Sequence, residues 1–241
     1  MTLALEGVQT TLAPMTPDGS VRWEQNFIPS VNGTLYTAPD CPEDIIDTTL
    51  SLHGYTWPGS LGFEPVGVGE FANVFRKGEV AYKKHNLVNA DKLFGLSEVV
   101  ANVSLQAGLD RLHESGQPDA YFHGGSVVMT APRYYAALLP GEAQRYGTPS
   151  VFVVAMSLEH GTPPKADDVP PADRRLAICE AAVRACKLLP EWVNFDDDDR
   201  YTHQPVNELL SKDVDGSLHI AKIDVRAKGD YFSAGTGVMP L

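Results

Sequence analysis

The sequence predicts an α+β fold, and three stretches carry that expectation. From Phe63 to His85 glycines punctuate short apolar runs in the manner of hairpin strands, with "NVFRKG" and "GEVAYKKH" reversing at Lys77 and Gly78. From about Asp91 to Glu114, Leu96, Val100, Val103 and Ala107 recur at three- and four-residue spacing, and Gly116 closes what reads as the clearest helix of the chain. "ADRRLAICEAAVRACKLL" repeats the pattern at Leu176, Cys179, Val183, Cys186 and Leu189, predicting a second amphipathic helix stopped by Pro190.

The remaining elements follow in order. Residues 1–60 are rich in Pro, Gly, Thr and Asp, with one helix-like patch, "PEDIIDTTLSLHGY", and a turn at Trp57, Pro58 and Gly59, and read as an N-terminal arm or small subdomain. Strands are expected at "AYFHGGSVVMT" and "SVFVVAMSLE", with "PRYYAALLPGEAQRYG" between them as an inserted helix or loop. "GTPPKADDVPP" is a linker by composition, so residues 61–162 form one lobe and 163–241 a second. That second lobe holds a loop, "DDDDRYTHQPVN", a hairpin, "ELLSKDVDGSLHIAKID", turning at Asp215 and Gly216, and a glycine-rich tail.

Composition narrows the function. The 241 residues are 43% apolar and 9% aromatic, enough for a packed core. A net charge of -12 with scattered Lys and Arg argues against nucleic acid as the main partner, because a phosphate backbone would be repelled. Cys41, Cys179 and Cys186 show no paired spacing, so neither a disulfide framework nor a zinc cluster is expected. No apolar run approaches the ~20 residues that span a bilayer, and the N-terminus lacks the basic start of a secretory signal. The expectation is a cytoplasmic protein with no membrane partner.

The chemistry-bearing residues are spread along the chain. Gly67 and Gly69 let a strand turn tightly and bring backbone N–H groups close to phosphates without Cβ interference. A dinucleotide-binding turn needs a helix next, whereas a strand pair follows here. Lys83 on the following strand would aim a cation at phosphates under that loop, and Glu98 on the long helix could hold it. Taken singly, each has an ordinary alternative: a glycine-containing hairpin, a solvated strand end at Lys83 and Lys84, an exposed helix charge.

In this order the residues resemble the protein-kinase-like superfamily. "GVGEFANVF" is similar to its glycine-rich loop, "VAYK" to its strand lysine motif, and Glu98 in "LSEVVANVSL" to its helix glutamate. "SVFVVAMSLEHG" looks like the strand leading into the hinge, where backbone groups from Ala155 to Leu158, Met156 among them, would meet adenine. "THQPVNELL" looks like the end of the catalytic loop and "LHIAKID" like the strand before the metal-binding aspartate. The resemblance implies a two-lobed fold with a five-stranded antiparallel N-lobe and a shortened helical C-lobe. It implies ATP with Mg²⁺ as cofactors, Gly67, Gly69, Lys83 and Glu98 around the phosphates, and Asn207 and Asp224 on the metal.

The departures are specific. Thr202 stands where the family has its catalytic aspartate, Ala72 replaces the third loop glycine, Gln204 replaces a lysine, and Val225 and Arg226 follow Asp224. A threonine cannot accept a proton as a carboxylate does, so Asp199 at the end of the acidic run, or His203, is the candidate for orienting an acceptor. The four adjacent acids 196–199 repel one another and suit a cation, although such runs are usually solvated loops. "DVDGS" lacks the downstream glutamate of a calcium loop and reads as a β-turn. The expectation is an atypical ATP-dependent phosphotransferase, of phosphoryl or of AMP, with a catalytically inactive pseudokinase that binds a protein partner as the alternative.

Overall fold

A computed structural model describes residues 23–53, 58–68, 72–87, 99, 102–103, 106, 108–110, 113–114, 120–122, 125–140, 150–163, 208–214 and 216–223. These fall into two compact units: the residues up to Val99 together with Arg133–Leu158, and those from Asn102 to Pro132 together with the residues from Glu159 onward. The described residues are strand-rich α+β.

The first unit is built on a seven-stranded, wholly antiparallel sheet in the order β1-β2-β8-β9-β5-β4-β3. Its strands are β1 (Glu24–Ile28), β2 (Gly33–Thr37), β3 (Glu64–Val68), β4 (Ala72–Lys77), β5 (Val80–Leu87), β8 (Tyr134–Pro140) and β9 (Ser150–Ser157). The sheet has seven strands where five were expected. The hairpin β1–β2, from the segment read as an arm or subdomain, joins it through pairing of β2 with β8, β8 itself was not expected as a strand, and the strand expected within residues 120–130 falls in the other sheet.

"PRYYAALLP" is strand β8 rather than an inserted helix or loop. Ala136, Ala137, Leu138 and Leu139 are all buried, and a strand covered on both faces shows no apolar–polar alternation to betray it. Gly33, where β2 begins, is required by contact: a Cβ there would lie 2.7 Å from the Leu139 carbonyl oxygen. The expected reversal at Lys77 and Gly78 is present between β4 and β5, with Gly78 at φ +62 opening the turn.

Helix α1 (Glu43–His53) packs on β8 and β9. It begins with acidic Glu43 and Asp44, where negative charge suits the helix dipole, and presents Ile45, Thr49 and Leu52 along one buried stripe. Thr49 satisfies its hydroxyl by donating to the Ile45 carbonyl at 2.7 Å. That stripe joins Leu35, Phe63, Phe75, Tyr82, Leu138 and Val153 in the core, where the Phe63 and Tyr82 rings meet edge to face at 5.4 Å.

The described residues of the expected helix, from Val99 to Glu114, are all helical. Among them Val99, Asn102 and Leu109 are buried and Val103 is half-buried, while Leu96, Val100 and Ala107 of the expected stripe lie outside the described residues.

The second unit contains β6 (Ala120–Phe122), β7 (Gly125–Thr130), β10 (Glu208–Lys212) and β11 (Leu218–Lys222) in the order β10-β11-β7-β6. β6–β7 and β10–β11 are antiparallel hairpins, and β11 runs parallel to β7. The expected turn after β10 is present, with Gly216 at φ +88. Thr162 exchanges backbone hydrogen bonds with Leu210 at 3.0 and 2.9 Å, and Met129, Leu210, Leu218 and Ile220 form the buried side. No helix among the described residues is long and apolar enough to cross a membrane. The second amphipathic helix expected at 172–189 lies outside the described residues.

Candidate functional site

β5 is the strand on which the candidate site rests. It lies inside the sheet, paired with β4 on one side and β9 on the other, and its side chains alternate between faces. Tyr82 and Lys84 point to the face covered by α1, and Ala81, Lys83 and His85 to the opposite one.

Lys83 and Lys84 are 8% and 4% exposed, so the alternative of a solvated strand end is wrong for both. Carrying two ammonium groups into a sheet is costly unless each meets compensating groups. For Lys84 the compensation is visible: Nζ donates to the carbonyl of Leu52 at 2.9 Å, at the C-terminal end of α1 where a cation also suits the dipole. Burial nevertheless pulls the Lys84 amine below its ordinary range. His53, the last residue of α1, is held below the usual histidine value, first by burial and then by the Lys84 charge.

On the other face, the pairing registers align Gly67, Val74, Lys83 and Val154 in one row across β3, β4, β5 and β9. Two strand spacings separate the glycine from the lysine, about 10 Å. Gly67 is exposed, its φ is unremarkable, and nothing lies within 4 Å of the position a Cβ would take. Beside Lys83, Ala81 is flanked by Arg76 and Met156, and His85 by Ala72 and Phe152. The His85 imidazole stacks on Phe152 at 4.7 Å, and Met156 is 5% exposed. The lysine therefore stands on an apolar bed of Ala81, Val154 and Met156, with a half-buried valine and an open glycine beside it.

The chain leaving β9 is anchored on both sides. Ser157 N–H donates to the Arg133 carbonyl at 2.8 Å and its Oγ accepts from Arg133 N–H at 2.9 Å, while Leu158 N–H donates to the Glu79 carbonyl at 3.0 Å. The Leu158 amide is thus already engaged, and a base docking beside Met156 would have to use other backbone groups.

Gly67, Lys83, Met156 and Leu158 are consequently all placed in the first unit, with Gly67 and Lys83 in one row and Met156 on the neighbouring strand. Gly69, Glu98, Asp199, His203, Asn207 and Asp224 lie outside the described residues. Sequence reading overlooked His85 and took Lys84 only as part of a possible solvated strand end; period-2 alternation from Lys83 would have placed the first on the same face and the second on the other. Among the described residues no group of three or more His, Cys, Asp or Glu could hold a metal ion. No family model, curated protein or solved structure matches this chain.

Proposed function

We propose that this chain is an atypical member of the protein-kinase-like class, a two-lobed protein that binds Mg-ATP and transfers a phosphoryl group. One observation carries the reading: Lys83, buried on an inner strand, shares a cross-sheet row with Gly67 of the preceding glycine hairpin and is paired directly with the strand read as leading to the hinge. In this reading Gly67 and Gly69 cover the phosphates and Lys83, held by Glu98, binds two of them. Asn207 and Asp224 hold Mg²⁺, and Asp199 or His203 orients the acceptor. Ala81, Val154 and Met156 supply the apolar surface a base would rest on. Phosphoryl transfer depends on positioning and fixed charge more than on a strong base, so Thr202 at the catalytic position slows the reaction without forbidding it.

Thr202 also favours a second reading, a pseudokinase that binds nucleotide or a protein partner without chemistry. Calorimetric titration of ATP, with and without Mg²⁺, tests the shared part of both. The first reading expects Mg²⁺-dependent binding that Lys83→Met abolishes while the variant's melting curve stays cooperative. Absence of nucleotide binding by the wild type overturns the nucleotide site. With binding established, release of labelled phosphate or AMP onto an acceptor separates enzyme from pseudokinase.

A further inference from the structure

The β10–β11 hairpin carries a polar group that the nucleotide reading leaves unused. Asp213 follows β10, His219 lies on β11, and His219 Nε2 is 2.6 Å from Asp213 Oδ2. An ionised carboxylate only accepts hydrogen bonds, so beside it the neutral form of the ring carries its hydrogen on Nε2 and its lone pair on Nδ1. Pairing places Ser211 directly across from His219 on one side and Val128 of β7 on the other. Directly paired residues share a face, so these three lie together, opposite the buried side formed by Leu210, Ile220 and Met129. On the His219 face Ala221 is covered and Val128 half-buried, while the His219 side chain is 28% and that of Asp213 58% exposed, so the pair lies at the open margin of that face.

A half-open surface contact of this kind contributes little to stability, so its chemical consequence is the larger one. A carboxylate that fixes one ring nitrogen as a donor presents the other as a nucleophile, the arrangement by which histidine enters covalent chemistry. We infer that His219 is a nucleophilic acceptor that takes a phosphoryl group on Nδ1 from a small nitrogen-linked phosphoryl donor. The Nδ1 lone pair forms the bond to phosphorus, the donor's P–N bond breaks, and its electron pair leaves with the amine, which takes a proton from solvent. The positive charge arising on the ring is offset by Asp213 through Nε2–H. The Ser211 hydroxyl, one cross-strand position away, is placed to donate to a phosphoryl oxygen. An acyl group on a ring that water reaches would be lost to hydrolysis, whereas a phosphoryl group on nitrogen persists at neutral and alkaline pH.

Phosphoramidate treatment of the full-length protein at neutral pH, followed by ³¹P NMR and alkaline peptide mapping, tests this. His160, exposed on the same chain, serves as the reference ring. The expected result is phosphate on His219 as the Nδ1 isomer, formed several-fold faster than on His160. Asp213→Asn should bring the His219 rate down to that of His160, and Ser211→Ala should leave the modified atom unchanged. Labelling of His219 no faster than His160, an Nε2 isomer, or phosphate on Ser211 would each overturn the inference, and the wild-type comparison decides it even if a variant misfolds. Because the measurement uses no ATP, its outcome is separate from that of the nucleotide site.

Discussion

Lys84 of the inner strand β5 donates from Nζ to the main-chain carbonyl of Leu52, 2.9 Å away at the end of α1. The bond joins helix to sheet and satisfies a carbonyl that the helix itself leaves without a partner. Lys84→Met keeps the aliphatic volume and orphans that carbonyl, so it should cost about 1–2 kcal/mol in urea unfolding at pH 7. The sign of the pH effect follows from the lowered Lys84 pKa. Between that value and 10.5 the unfolded chain holds the extra proton, so wild-type stability gains from this group as pH rises and the variant's does not. The gap between the two should widen toward pH 10.

His53 provides an acid-side counterpart. Its folded pKa is below 6.5, so the unfolded chain takes up the proton first and stability from this group is lost as pH falls through that window. NMR titration should find the His53 ring below its ordinary value, and Lys84→Met should move it part of the way back. An unchanged value in the variant would mean that burial alone sets it.

At alkaline pH two other groups act in the opposite direction. Burial, with help from Asp44, pushes the Cys41 thiol from 9.0 up to about 11. Burial also pushes the Tyr82 phenol from 10.0 up to about 12, against a hydrogen bond from Thr48. In both cases the unfolded chain ionises first, so these groups remove stability as pH rises from 9 to 11 for Cys41 and from 10 to 12 for Tyr82. In Lys84→Met, where the opposing amine is absent, urea midpoints should fall from about pH 9 upward, and adding Cys41→Ser or Tyr82→Phe should each flatten the decline by an amount on the order of 1 kcal/mol.

Two glycines give a contrast. Gly33→Ala drives a methyl to 2.7 Å from the Leu139 carbonyl, a backbone atom that cannot swing aside, and should destabilise by about 1–3 kcal/mol. Gly67→Ala meets nothing within 4 Å and should melt as the wild type does. Under the proposed function it should weaken Mg-ATP binding all the same, and calorimetry on that well-folded variant reads the effect free of stability.

Leu138 is fully buried in β8 and belongs to the core under α1. Leu138→Ala should cost about 2–5 kcal/mol in chemical denaturation. A value near zero would mean that β8 is not an inner strand.

Much of the fold could be read where local chemistry and tertiary demand agree. The reversals at Gly78 and Gly216 need positive φ, and both were legible from the glycines alone. Helix α1 lies within the patch "PEDIIDTTLSLHGY", where acids precede an apolar stripe. β8 was not legible, because Ala-Ala-Leu-Leu suits a helix by propensity and only burial on both faces makes it a strand. β1 and β2 escaped for a related reason: a stretch rich in Gly, Thr and Pro has weak local preference, and its partner β8 is distant in sequence. At the site, Lys83 could be singled out by its place after the glycine hairpin. Its burial depends on β9 and could not be seen in residues 80–87 themselves.

The pairing of Gly33 with Pro140 spans 107 positions (140 − 33). During synthesis at about 5–20 residues per second, β2 has to wait roughly 5 to 20 seconds before its partner leaves the ribosome. Through that interval the β1–β2 hairpin presents an open edge with Leu35 and Tyr36 uncovered, which is the kind of surface that strays into aggregates and that nascent-chain chaperones bind. The width of the sheet therefore makes this chain dependent on the pace at which it is made.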